Sequence, residues 1–259
     1  MTKTALKRPS LLGFARSCLF SPVSAASAAR EPGSLAPATW IYAAFLLATA
    51  VFYAAKPFDF PDRNAPFPRQ AQTLWFWLRV MLWQPPLEAA WIACLLALLS
   101  WFRTGKLFWR LLGAVLATAT PFVLLLCYKY GALGRGAYAG LALAWFTVVS
   151  RWAMRSPREA LAPTAAFMLA LNAIGLVGLA PMALAVALDA DSLFKGAQIA
   201  AGLWMLLCAA LGLRTLSGLR LPRCFMAVLL SMFMQIAFAF TLHMLGLVPK
   251  DILKALLYA

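Results

Sequence analysis

The chain of 259 residues is 64% hydrophobic and 12% charged, with a mean hydropathy of +0.81, well outside the roughly 45–50% apolar and about 25% charged usage of soluble domains. It carries 23 Lys and Arg against 8 Asp and Glu, a net charge of +15, but the basic residues sit in short stretches between apolar runs, where they set membrane orientation and attract anionic headgroups rather than nucleic acid. Five cysteines with no C-x-x-C pair and one histidine exclude a disulfide framework, a zinc-finger-type site and a multi-histidine metal centre.

The composition implies an all-α, polytopic transmembrane helical bundle whose partners are lipids and other membrane proteins, with no cofactor called for. Residues 1–34 read as a cytoplasmic amphipathic segment, 35–247 as the transmembrane domain and 248–259 as a short external amphipathic tail. Lys3, Lys7 and Arg8 before Leu11-Leu12-Gly13-Phe14 imitate a signal peptide, but Arg16 interrupts the apolar region and Pro22 breaks the small-residue run beyond it. Leu11, Phe14, Ala15 and Cys18 instead recur at helical spacing, as in a helix lying on the membrane.

A span needs about 20 apolar residues, and seven runs qualify: 36–55, 87–102, 107–128, 134–150, 160–188, 197–213 and 224–247. The second accommodates Pro85 and Pro86 in its first turn, where a missing N–H costs nothing. Arg135 leaves the fourth barely long enough. The fifth is overlong and contains Asn172, Gly175, Gly178 and Pro181, so it is expected to tilt, kink or break. Lys56–Gln70, with Pro57, Pro61, Pro66 and Pro68, reads as an extended external loop. Ala71–Trp83 reads as an interfacial helix facing lipid with Leu74, Trp77, Leu78, Met81 and Leu82. In the tail, Ile252, Leu253, Leu256 and Leu257 are expected to face lipid and Lys250 and Lys254 water.

Seven spans with the N-terminus inside put fourteen basic residues on the inner side, including the triplets Arg103/Lys106/Arg110, Arg151/Arg155/Arg158 and Arg214/Arg220/Arg223. Nine fall outside, spread over longer stretches. That bias makes the N-terminus cytoplasmic and the C-terminus external.

An ionisable group deep in a membrane is a functional candidate, and every acid here maps to a loop or within about a turn of a span end, Glu88 included. His243 lies near the outer end of the last span with Gln235 and Thr241, as an interhelical or interfacial hydrogen-bonding group or a proton-handling one. Asn172, Gly175, Gly178 and Pro181 form the main polar and small-residue cluster, either a kinked helix with one interhelical bond or an interrupted helix lining a transport site. Gly136, Gly140 and Ala144 make a small-xxx-small stripe. The cysteines read as apolar fillers, although Cys18 and Cys224 lie where lipid attachment is chemically possible. Trp40, Trp83, Trp101, Trp109 and Trp152 lie near span ends as anchors. No H-E-x-x-H, G-x-S-x-G, S-x-x-K or Walker-type stretch occurs.

The segment ending in Cys18-Leu19-Phe20-Ser21-Pro22, followed by a small-residue linker and a span from Trp40, resembles the opening of bacterial members of the Yip (Ypt/Rab-interacting protein) domain family. The run Gly202-Leu203-Trp204 to Gly212-Leu213-Arg214, the turn Leu216-Ser217-Gly218-Leu219-Arg220 and a last span from near Cys224 resemble that family's closing hairpin. The resemblance implies a helical membrane domain with a cytoplasmic N-terminus and an external C-terminus, here in a bacterial inner membrane, and no catalytic residues. Family members typically have five spans, leaving 134–150 and 160–188 as surplus, and the eukaryotic D-L-Y-G-P stretch is missing here.

These features point to a non-enzymatic accessory or scaffold subunit. A permease using Asn172–Pro181 is the alternative; an enzyme would need His243 to meet Cys127 or Glu88.

Overall fold

The computed structural model of the protein describes residues 10–57, 60–61, 73–154 and 158–258. Lys3, Lys7, Arg8 and Arg155, most of the proline-rich stretch and the first two residues of the expected interfacial helix lie outside them. In chain order the helices are α1 (Leu11–Phe20), α2 (Pro22–Ala29), α3 (Leu35–Ala55), α4 (Leu74–Met81), α5 (Gln84–Trp101), α6 (Leu107–Lys129), α7 (Arg135–Met154), α8 (Arg158–Ala170), α9 (Asn172–Ala187), α10 (Asp191–Ser217), α11 (Leu221–Met244) and α12 (Lys250–Tyr258). The protein is an all-α helical membrane protein, with no strand among the described residues.

Among the described residues, six segments are long and apolar enough to cross a bilayer: Leu35–Ala55, Leu74–Trp101, Leu107–Lys129, Ala160–Ala187, Asp191–Ser217 and Leu221–Met244. The expected fourth span corresponds to α7, whose 20 residues extend about 30 Å at 1.5 Å per residue. Arg135, Gly136, Gly140, Ser150 and Arg151 make it less apolar than the six, so length alone qualifies it. The second span is longer than expected, because α4 and α5 are separated only by Leu82 and Trp83 and form one apolar segment. The prolines Pro85 and Pro86 do stand at the start of α5.

The chain divides into two compact units, Met1–Met81 with Glu159–Gly218, and Leu82–Arg158 with Leu219–Ala259. In the first, α9 packs between α3 and α10, α2 lies on α10, α1 touches α2, α3 and α9, and α4 packs on α3. Of the two N-terminal helices, α1 forms as expected, with Ser10 capping it through its side chain. Pro22, expected to break the small-residue run, instead starts α2, because a first-turn proline lacks no needed N–H. Their apolar face, however, is spent on protein: Phe14, Cys18, Ala25, Ala26 and Ala29 are buried, leaving Leu11 exposed. Arg30 then donates to the carbonyls of Thr215 and Leu216, at 2.8 and 3.2 Å, placing a cation at the negative end of α10. Gly218, in the left-handed conformation at φ 69°, ends that helix.

α4 also departs from expectation. Trp77 and Met81 are buried, together with Phe76 and Val80, while Leu74, Trp75 and Leu82 are exposed. The Trp77 ring stacks on Tyr53 of α3 at 4.7 Å, so it is a packing residue and not a lipid anchor.

In the second unit α5 is the central helix, buried at Leu87, Glu88, Trp91, Ile92 and from Cys94 to Leu99, and flanked by α11, α7 and, to a smaller extent, α6. Trp91 donates from its indole N–H to the Ser231 hydroxyl at 2.8 Å, joining α5 to α11. α12 folds onto α11. Its Ile252 and Leu253 are consequently buried against protein instead of facing lipid, and only Leu257 is exposed.

Candidate functional site

The interruption around Asn172 lies wholly in the first unit. The overlong span does break, at Leu171 beside Asn172: α8 ends at Ala170, and Pro181 is carried inside α9. The Asn172 side-chain amide is buried and donates to the carbonyls of Met168 and Leu169, at 3.4 and 3.2 Å. These are carbonyls of the last turn of α8, which the break would otherwise leave without donors. Asn172 is thus bonded within its own span, to the helix before it, and not to another span.

The glycines after it permit close packing. A Cβ on Gly175 would lie 2.5 Å from the Phe45 ring of α3, and one on Gly178 would lie 3.2 Å from Ala201 of α10. One turn past Gly178, Pro181 has no N–H to give the Val177 carbonyl. A groove of about 590 Å³ opens beside this stretch between α3 and α9, lined by Ala44, Leu47, Ala48, Val51, Phe52, Leu179, Ala180 and Ala183. Every lining side chain is apolar, and Asn172 is not among them.

Gln235 and His243 lie on α11, in the second unit, both half-buried. His243 is bonded through Nδ1 to the Val248 carbonyl at 2.7 Å, which fixes the turn between α11 and α12. Thr241 bonds back to Ala237 in its own helix. The stripe Gly136, Gly140 and Ala144 on α7 is exposed, and Cβ atoms on its glycines would meet nothing within 4 Å. Cys18, Cys94, Cys208 and Cys224 are buried and Cys127 half-buried. Burial, with the neighbouring Cys208 adding to it, pushes the Cys18 thiol up to about 12. Among the described residues no three His, Cys, Asp or Glu side chains come together as metal ligands.

Two charged groups are placed differently from the sequence expectation. Glu88, expected at a span edge, is buried at 6% exposure with its Oε1 lacking a hydrogen-bond partner. The usable signal was the apolar run Leu74–Met81 upstream, which puts Glu88 in the interior of a 28-residue segment. Lys56, assigned to the external loop, is 5% exposed. Its ammonium donates to the carbonyls of Pro57 and Phe60 and faces the Tyr53 and Phe60 rings, at 5.9 Å from each.

No protein-family model, curated protein or solved structure matches this chain.

Proposed function

We propose that the protein is a non-enzymatic accessory or scaffold subunit that receives a transmembrane helix of another membrane protein in the groove between α3 and α9. The observation that carries this reading is the way the polar groups near the interruption are used. Asn172 is committed to the carbonyls of α8, and the groove beside it offers only apolar side chains. A polar solute would find no hydrogen bond there to replace its hydration. A helix suits the groove because the rim is rich in alanine on both sides, and small residues let backbones approach closely in lipid.

The same reading places the protein in a bacterial inner membrane with seven spans, α7 included, the N-terminus cytoplasmic and the C-terminus external. The distribution of basic residues supports that orientation. Reporter fusions after Arg158 and after Lys195 should report inside and outside respectively. Kinship with the Yip family belongs to the proposal and rests on the opening and closing segments, neither of which carries a catalytic residue.

The test is purification in a mild detergent with Ala180→Trp as the comparison. A stoichiometric protein partner that co-purifies with the parent chain and is lost from the folded Ala180→Trp variant supports the reading. A bound metabolite with no protein partner would move the assignment to a permease.

A further inference from the structure

Within the second unit, two basic stretches far apart in sequence are held together by one side chain. Arg223, in the first turn of α11, donates from Nη1 to the Phe102 carbonyl at 2.6 Å and from Nη2 to the Gly105 carbonyl at 3.0 Å. These bonds bring the start of α11 against the α5–α6 connection, so that Arg220 and Arg223 join Arg103, Lys106 and Arg110.

Two of the cationic groups are held in place. Arg110 lies over the Trp101 ring at 4.2 Å and donates to the Thr104 hydroxyl at 3.1 Å, while the Trp101 indole donates to the Arg110 carbonyl at 2.8 Å. Gly105 is required for this approach. Its φ of 79° is in the left-handed region, and a Cβ there would lie 3.0 Å from Arg110 Nε. A guanidinium has five N–H donors, so Arg110 and Arg223 each keep donors beyond the bonds named. Arg103, Lys106 and Arg220 are exposed.

Within this unit no carboxylate stands beside these charges. The acids of this unit are Glu88, near the start of α5, and Asp251, at the start of α12, each separated from the cluster by most of the length of α5 or α11. Beside the five cations, Phe108 and Trp109 in the first turn of α6 are 69% and 66% exposed. Exposed aromatic rings at the end of a span lie at headgroup level.

We infer that this end of the second unit is a binding site for an anionic phospholipid, its phosphodiester headgroup taken by Arg103, Lys106, Arg110, Arg220 and Arg223 and its upper acyl region lying against Phe108 and Trp109. A lipid is the occupant because the exposed rings adjoin the cations, and a soluble phosphate would have no use for them. The inference depends on the chain crossing a membrane and is independent of what occupies the α3–α9 groove.

The test is native mass spectrometry of the full chain with equimolar phosphatidylglycerol and phosphatidylcholine. The parent protein should retain phosphatidylglycerol in preference. Each basic residue near a membrane surface contributes roughly a fivefold preference for anionic lipid, so Arg103→Gln with Lys106→Gln and Arg220→Gln should lower it by roughly a hundredfold. None of these three side chains makes the bonds that join α11 to the α5–α6 connection, and circular dichroism checks that the variant keeps its helicity. Lys250→Gln with Lys254→Gln, at the other end of the unit, should leave the preference unchanged. An equal loss in that control would mean that net charge alone acts, and would overturn the site. Retained preference in the triple variant would overturn it too. Glycerophosphate displacing the lipid at equal concentration from the parent chain would make it a soluble-anion site, contradicting the lipid assignment even if the triple variant failed to fold.

Discussion

The indole Nε1 of Trp145 on α7 donates to the backbone carbonyl of Ala117 on α6 at 3.1 Å. That carbonyl is the one that Pro121, four residues later and inside α6, leaves without its helical donor. A defect in one helix thus becomes a bond to its neighbour, the usual way in which prolines are tolerated within membranes. The expected outcome is measurable as a coupling. Trp145→Phe should destabilise the protein by about 1 kcal/mol. In a Pro121→Ala background, where an N–H is again available to Ala117, most of that loss should vanish. Equal losses in both backgrounds, measured by reversible unfolding in detergent, would show that the two residues act independently.

Asn172 caps its own broken segment, so Asn172→Leu should leave the protein folded and any partner complex intact, with stability changed by roughly 1 kcal/mol or less. A solute site would respond differently, because a bound group left unpaired typically costs about 1–3 kcal/mol. Folded yield and partner retention, measured side by side, separate the two.

Glycines in the first unit should respond to substitution according to what faces them. A Cβ on Gly212 of α10 would run into the ring of Phe167, which is fully buried on α8, so Gly212→Ala should cost about 1–3 kcal/mol by overpacking. Gly196, on the same helix, faces open space. Gly196→Ala should be neutral or stabilising by up to about 1 kcal/mol, through helix propensity. Thermal unfolding of the two variants tests the contrast, which disappears if Gly212 is not a packing position.

Cys18 should be inert. With its thiol at about 12, the thiolate fraction at pH 8 is on the order of one in ten thousand, and the thiolate is the reactive form. Iodoacetamide at pH 8 should therefore label Cys18 only after unfolding, as peptide mapping would show. Rapid labelling in the folded protein would mean that α1 does not pack as described.

Six of the seven expected spans were legible in the sequence, because their length and apolarity are set by the bilayer and each can be counted alone; α7 has the length without the apolarity. What the faces of the shorter helices touch was not. The periodicity of Phe14 and Cys18 or of Ile252 and Leu253 marks an apolar face, but lipid and protein interior are equally apolar, and pattern alone does not distinguish them. Trp77 was misread for the same reason. Glu88 was misplaced because the prolines after Trp83 suggested a boundary, whereas prolines in a first turn start a helix without ending the apolar segment before them. Around Asn172 the residue types announced an interruption correctly, yet its position depends on which carbonyls the amide reaches, a matter of geometry that composition does not carry.

The size of the protein's complex in native-membrane discs, with and without Ala180→Trp, addresses the scaffold assignment most directly. The parent chain should migrate with a second membrane protein at fixed stoichiometry, and the variant, with unchanged helicity, should migrate without it. A parent chain that migrates alone, or a complex indifferent to a tryptophan in the α3–α9 groove, would contradict the assignment.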